Sequence, residues 1–235
     1  MRAHRVVLAV VILLCAASAP AAASGVGGHG HPDFVPVKTL GGFTGGELVG
    51  QWWAQVLAIP AASNPLLPPS PARCLALGKG KVLAMAGTAA SAPLTCTVKP
   101  GTPLFVAAGT NECSSADLPP YWGVTEAEQR ECAMEFFSSP TVVATFLSLD
   151  GGPPTEIHNE RFQLVSPQTS VTIPDGALWD LEPGPARFVG VAYAATPRGR
   201  LTPGRHTLEI NFVGADGTTR TTRRTLEVVP GHGHG

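Results

Sequence analysis

Between residues 206 and 229 the chain spells out a β-hairpin: Leu208, Ile210 and Phe212 alternate with Thr207, Glu209 and Asn211, and Leu226 and Val228 recur on the return segment. Successive strand side chains point to opposite faces, so register decides which of them share a core. A two-residue Asp216-Gly217 loop pairs odd with even positions and sends Leu226 and Val228 to the face opposite Leu208 and Ile210. An odd loop restores the match. The sequence therefore predicts a three-residue loop with Gly217 in a left-handed conformation, a type I turn followed by a bulge, between antiparallel neighbours.

The same grammar recurs upstream. Strands are expected near 81–87, 93–98, 103–108, 141–149, 161–166, 169–173 and 187–194, separated by Gly, Pro and Asp-Gly turns. Repeated short strands imply a sandwich or barrel. Two helices interrupt the pattern. Thr44 and Glu47 form a capping box with Phe43 and Leu48 as a hydrophobic staple, and Leu48, Val49, Trp52, Val56 and Ile59 keep helical spacing until Pro60. Thr125 and Glu128 form a second box, followed by Cys132, Ala133, Phe136 and Phe137 until Ser139-Pro140. The expectation is a mainly β fold, a β-sandwich of jelly-roll or Ig-like type with helices near 45–59 and 126–138. Prolines at 60, 65, 68, 69 and 71 make a stiff connector.

The first residues address the chain. Arg2 and Arg5 precede an apolar run from Val6 to Leu14, too short to span a bilayer with ease, and Ala21-Ala22-Ala23 place small residues before Ser24. This reads as a secretory signal peptide, residues 1–23, cleaved near Ala23. Residues 24–42 then read as a flexible Gly/His/Pro leader, 43–230 as a single β-sandwich domain and 231–235 as a flexible Gly-His tail. The expected location is extracytoplasmic, either secreted or periplasmic. Cleavage takes two of the 16 basic residues and none of the 17 acidic ones, leaving 14 against 17, or −3. No basic stripe for a nucleic acid follows, and no later stretch has the run of ~18 apolar residues that a span needs.

Cleavage also removes Cys15 and leaves Cys74, Cys96, Cys113 and Cys132. An even count in an exported chain predicts two disulfides, and of three connectivities the near-neighbour pairing Cys74–Cys96 and Cys113–Cys132 is favoured. Spacings of 22, 17 and 19 offer no close pair of the kind zinc ribbons use.

Gln51-Trp52-Trp53, Ala58-Ile59-Pro60, Asn64-Pro65, Ala86-Gly87-Thr88, Cys96-Thr97-Val98, Asn111-Glu112-Cys113-Ser114, Leu149-Asp150-Gly151, Ser166-Pro167 and Thr202-Pro203-Gly204-Arg205-His206-Thr207 carry a resemblance. Across about 43–229 the chain resembles a family of uncharacterised, predicted secreted bacterial proteins. It departs from that pattern at Ala54, where a third Trp is common, and at Lys79-Gly80-Lys81. The resemblance implies an exported, disulfide-bonded β domain and carries no activity, cofactor or site residue with it.

Candidate chemistry is sparse. His29 and His31 near the mature start, and His232 and His234 at the end, can each present two imidazoles to one side of an extended segment, enough for weak copper, nickel or zinc binding. The competing reading is a pair of Gly-rich tails that are costly to order. Tyr121, Trp122 and Trp179 fall in turns, either as an aromatic platform for a ligand or as closure of the core. Glu128, Glu131 and Glu135 lie on neighbouring helical turns and read as a solvated face, and His158 and His206 stand alone. Neither a Gly-x-Ser-x-Gly elbow nor a His-Glu-x-x-His zinc motif is present. The leading expectation is a non-enzymatic binding or surface-associated module for an unknown extracellular ligand. A secreted hydrolase of extracellular polymer is the alternative, marked by convergent carboxylates in a pocket.

Overall fold

The computed structural model describes residues 33–91, 93–138 and 141–230. Two antiparallel-dominated sheets form the frame. The first is built on two long strands, β7 (Leu104–Ser114) and β12 (Gly184–Pro197), which pair in antiparallel register from Phe188↔Ser114 to Ala195↔Val106. On the far side of β7 lie β5 (Val82–Ala86) and then β4 (Arg73–Leu77). The free edge of β12 is tiled end to end by three short strands, β1 (Phe34–Pro36), β10 (Gln163–Val165) and β11 (Thr169–Ile173).

The second sheet runs β6 (Thr95–Val98), β14 (Thr219–Val228), β13 (Gly204–Gly214), β8 (Val142–Leu149), β9 (Thr155–Glu156), with only the β6–β14 pair parallel. A small ribbon of β2 (Thr39–Leu40) and β3 (Phe43–Thr44) leads into the first helix. The architecture is the expected mainly β, sandwich-type fold with two helices.

Between the sheets, Leu104, Val106, Ala108 and Ala195 meet Leu147, Leu149, Leu208, Leu226 and Val228 in one apolar core. Helix α1 (Gly45–Leu57) covers the opposite face of the first sheet, setting Leu48, Val49, Trp52, Trp53, Val56 and Leu57 against Leu77, Phe105 and Phe188. Its start is the predicted capping box: the Glu47 amide donates to Thr44 Oγ1 at 3.3 Å, and the Thr44 amide to Glu47 Oε2 at 2.7 Å. At its end the buried Asn64 side chain donates to the Val56 and Ile59 carbonyls. Gly190 of β12 lets the helix settle, because a side-chain carbon there meets the Trp53 ring at 2.4 Å.

Helix α2 (Glu126–Phe137) packs on β7 and β12 where Cys113 and Val191 face it. Val191 shares a face with Tyr193 and Ala195, so α2 continues the layer that the second sheet begins. On β7 that continuity depends on a bulge at Gly109, left-handed at φ 71, which carries Asn111 and Cys113 onto the face of Leu104, Val106 and Ala108. Gln129 fastens α2 by donating to the carbonyls of Gly123 (2.8 Å) and Arg187 (2.7 Å).

Both expected disulfides form. Cys74–Cys96, with Cα atoms 5.8 Å apart, ties edge strand β4 of the first sheet to edge strand β6 of the second; Cys113–Cys132, at 6.0 Å, ties β7 to α2. The terminal hairpin has the predicted register, with Leu208↔Arg224 and Val213↔Thr219 paired, the Gly214 amide donating to the Thr218 carbonyl, and Gly217 at φ 78 in a three-residue loop.

Three differences from the sequence reading have physical causes. The segment 33–42, read as part of a flexible leader, instead enters the sheet: Phe34 and Val37 are buried and Phe34–Pro36 pairs with Pro197–Ala195. Pro36 does not prevent this, because an edge strand needs ladder donors on one side only. Strand β4 follows the proline connector directly and escaped notice. β7 runs further than periodicity suggested, since the bulge at Gly109 interrupts its alternation, and β12 extends beyond 187–194 at both ends.

The inter-sheet bridge is a testable anchor. Replacing Cys74 and Cys96 together by Ala is expected to lower unfolding free energy in urea by roughly 3 kcal/mol, the loop-closure value for a loop of this size. A loss below about 1 kcal/mol shows that the sheets hold each other without it.

Candidate functional site

At its last residues β7 stops being a core strand and becomes the floor of a cavity. Ser114 organises the turn that follows. Its amide and hydroxyl both donate to Asp117 Oδ2, at 3.0 and 2.6 Å, while its hydroxyl accepts from the amides of Ala116 and Asp117, each at 3.2 Å. The chain then passes over Leu118, Pro119 and Pro120 and returns to β7, where the Ser114 amide also donates to the Tyr121 carbonyl. Opposite this loop stands the turn Leu178–Asp180, with Trp179 and Asp180 both left-handed at φ 55. Non-glycine residues rarely hold that conformation, and bulky ones less often still.

The two segments enclose a cavity of about 430 Å³, lined by Glu112, Asp117, Asp180, Tyr121, Trp179 and the loop apolar residues. Its floor is acidic. The Glu112 side chain is 3% exposed, and its Oε2 has no hydrogen-bond partner among the described residues. Burial, followed by the charge and hydrogen-bonding of the Asp117 carboxyl, pushes the Glu112 pKa well above its usual value. Burial raises Asp117 as well, against the opposing hydrogen bonds from Ser114 and Glu112. Burial thus disfavours the charge on both carboxyls, more strongly on Glu112.

The rim is aromatic. Trp179 is 53% exposed and rests one side against Trp53, ring centres 6.3 Å apart, while Tyr121 is 43% exposed across the mouth. No basic residue lines this cavity among the described residues. Of the three aromatics singled out in the sequence, Tyr121 and Trp179 converge here. Trp122 does not line the cavity; it is exposed beside it, bridged to Ser114.

The remaining candidates divide as follows. His29, His31, His232 and His234 lie outside the described residues. Glu128 is the reciprocal half of the α2 capping box, its carboxylate accepting from the Val124 and Thr125 amides, and those hydrogen bonds lower its pKa. His158 stacks near Tyr193, ring centres 4.4 Å apart, and burial lowers its pKa.

His206 has partners after all. Its ring nitrogens meet Asp150 Oδ2 at 2.7 Å and the Thr202 carbonyl at 2.8 Å, and two acceptors call for the doubly protonated ring. Burial lowers its pKa, but the Asp150 and Thr202 hydrogen bonds and the Asp150 charge outweigh it, for a net rise.

Glu112 and Asp117 were missed by the sequence reading. The signal existed: carrying the alternation of Phe105 and Ala107 across one bulged glycine places Glu112 on their buried face. No capping or motif rule explains a carboxylate there.

Fold and bridges together define a mainly β, sandwich-type domain with two disulfides. Among the described residues no helix is long and apolar enough to cross a membrane. Comparison with protein-family models, with curated proteins and with solved structures finds no match.

Two titrations follow with opposite dependence on the native charge state. Folding keeps the proton on Glu112, so its contribution is fully present below about pH 4.5 and is lost as pH rises toward its elevated folded value. The stability of wild type relative to Glu112→Gln is expected to fall from pH 4.5 to pH 8 in urea titrations; a difference independent of pH refutes the raised Glu112 pKa. His206 is stabilising as a cation, with its contribution present below pH 6.5 and lost as pH rises through its raised folded value. The deficit of His206→Gln against wild type should therefore be larger at pH 6 than at pH 9.

Proposed function

We propose that this protein is an exported, non-catalytic binding module whose acidic, aromatic-rimmed cavity takes an organic cation such as an alkylammonium group. The carrying observation is the convergence of Trp179 and Tyr121 with three carboxyls, Glu112, Asp117 and Asp180, and with no basic residue in the lining. An aromatic face attracts a cation through its quadrupole, and a partly desolvated carboxylate adds a counter-charge, together contributing about 2 kcal/mol or more. Export is supported by the cationic start, apolar run and small residues of 1–23, and by two disulfides that an oxidising compartment maintains.

A hydrolase reading rests on one specific observation, two neighbouring carboxyls whose pKa values burial raises, as in aspartic dyads. Glycosidase geometry does not fit it. Those enzymes hold their carboxyls on opposite sides of a cleft, about 5–9.5 Å apart with substrate or water between, whereas Glu112 and Asp117 sit together at the end of β7 and in the turn that follows it. Asp117 Oδ2 is moreover committed to Ser114.

Tryptophan fluorescence titration separates the readings. Tetramethylammonium is expected to bind wild type at neutral pH, with at least tenfold weaker binding to Trp179→Ala and none of comparable strength for the neutral isostere tert-butanol. Equal binding of cation and isostere removes the charge argument. Polymer hydrolysis abolished by Glu112→Gln favours the enzyme.

A further inference from the structure

The inward row of β14 departs from the apolar pattern of a core strand. Its even positions face the core, and Leu226 and Val228 fill it as expected; but Arg220, Thr222 and Arg224 occupy the next three places on that face, opposite Phe212, Ile210 and Leu208 of β13. Three consecutive polar residues on an interior row cost stability unless something answers them, and such violations concentrate at functional sites.

They line a second cavity, about 320 Å³, between the sheets. It exists because β5 and β7 pair only at Leu83↔Leu104 and Ala84↔Phe105, after which the strands diverge. The rest of the lining is largely apolar, from Trp52, Phe105, Val106, Ala108, Leu208 and Phe212 among others, and no carboxylate belongs to it among the described residues.

Arg224 is 5% exposed. Its guanidinium donates to the carbonyls of Thr88 (2.8 Å) and Arg223 (3.1 Å), and among the described residues it has no ion-pair partner. Burial pulls its pKa down with no carboxylate to hold it up. Beside it the Thr222 hydroxyl, 4% exposed, has no hydrogen-bond partner among the described residues. Arg220 stands exposed at the mouth, near Asp216 of the hairpin turn. A buried cation without an acid and a hydroxyl without a partner, both in an apolar cleft, are complementary to one kind of molecule: an anionic head on an apolar tail.

We infer that the cleft between the sheets binds a monomeric amphipathic carboxylate of medium chain length, its head on Arg224 and Thr222 and its tail between Phe105, Val106 and Phe212. This site is separate from the acidic cavity in lining and opposite in charge.

Isothermal titration calorimetry with decanoate, below its micellar concentration, tests the assignment on the folded, oxidised protein. Decanoate is expected to bind at a single site, with decyltrimethylammonium and decanol at least tenfold weaker and hexanoate weaker than decanoate. Arg224→Met keeps the volume and removes the charge, and should weaken decanoate at least tenfold. If that variant fails to fold, Thr222→Val supplies the second arm: it relieves an unpartnered hydroxyl, folds at least as stably as wild type, and should bind decanoate several-fold more weakly. Equal affinity for decanoate and decyltrimethylammonium, or unaltered decanoate binding by Thr222→Val and Arg224→Met alike, overturns the inference. So does adsorption to phosphatidylglycerol vesicles without binding of free decanoate. Tetramethylammonium is expected not to compete with decanoate, which keeps failure here distinct from failure of the acidic cavity.

Discussion

The antiparallel ladder between β7 and β12 is the interaction on which every other layer depends. One face of the pair receives α1 through Phe105 and Phe188; the other receives the second sheet along one half and α2 along the rest. Both strands must be long for that arrangement, and β7 must change its phase midway. Gly109 accomplishes the change at φ 71, where a side chain is strained. Without the bulge, Cys113 points toward α1 and cannot reach Cys132, while Glu112 points toward α2. The acidic cavity and one disulfide are thus consequences of a single extra residue.

What the sequence made legible follows from the range of the forces involved. Capping boxes at Thr44 and Thr125 are contacts three residues apart, and both appear as read. The hairpin register is set by parity and one turn, again local, and Gly217 sits where parity required. Near-neighbour cysteines paired as expected. Phe34–Pro36 was illegible because nothing local distinguishes an edge strand with a proline from a tail; its order comes from β12, some 160 residues away. Glu112 was hidden by the same bulge that lengthens β7. Arg220, Thr222 and Arg224 were in plain view, on the parity of Leu226 and Val228, yet an inward polar row becomes meaningful only once the opposite wall is seen to be open.

The two cavities place uncompensated charge of opposite sign at different depths of one domain. In the first, burial raises the pKa of both carboxyls, so that protonation relieves their desolvation under an aromatic rim. In the second, a guanidinium cannot shed its proton in the same way, since its affinity for it is too high. It remains charged, held by backbone carbonyls that supply dipoles but no counter-ion. The difference between a carboxyl and a guanidinium under burial therefore separates the two cavities: one set of groups can lose its charge by protonation, and the other keeps its charge on backbone dipoles.

The tiling of the β12 edge has a bearing on how such a chain avoids aggregation. Apart from β5, its central strands run from 8 to 14 residues, whereas every border strand of the two main sheets has five residues or fewer. Long unpaired borders are templates on which neighbouring molecules extend one another's sheets into aggregates. Here a foreign strand seeking β12 meets three separate pieces, each held by its own turn, and β4 and β6 on the opposite flank are clamped by a covalent bond. The molecule offers its backbone to itself and leaves little for a second copy to grasp.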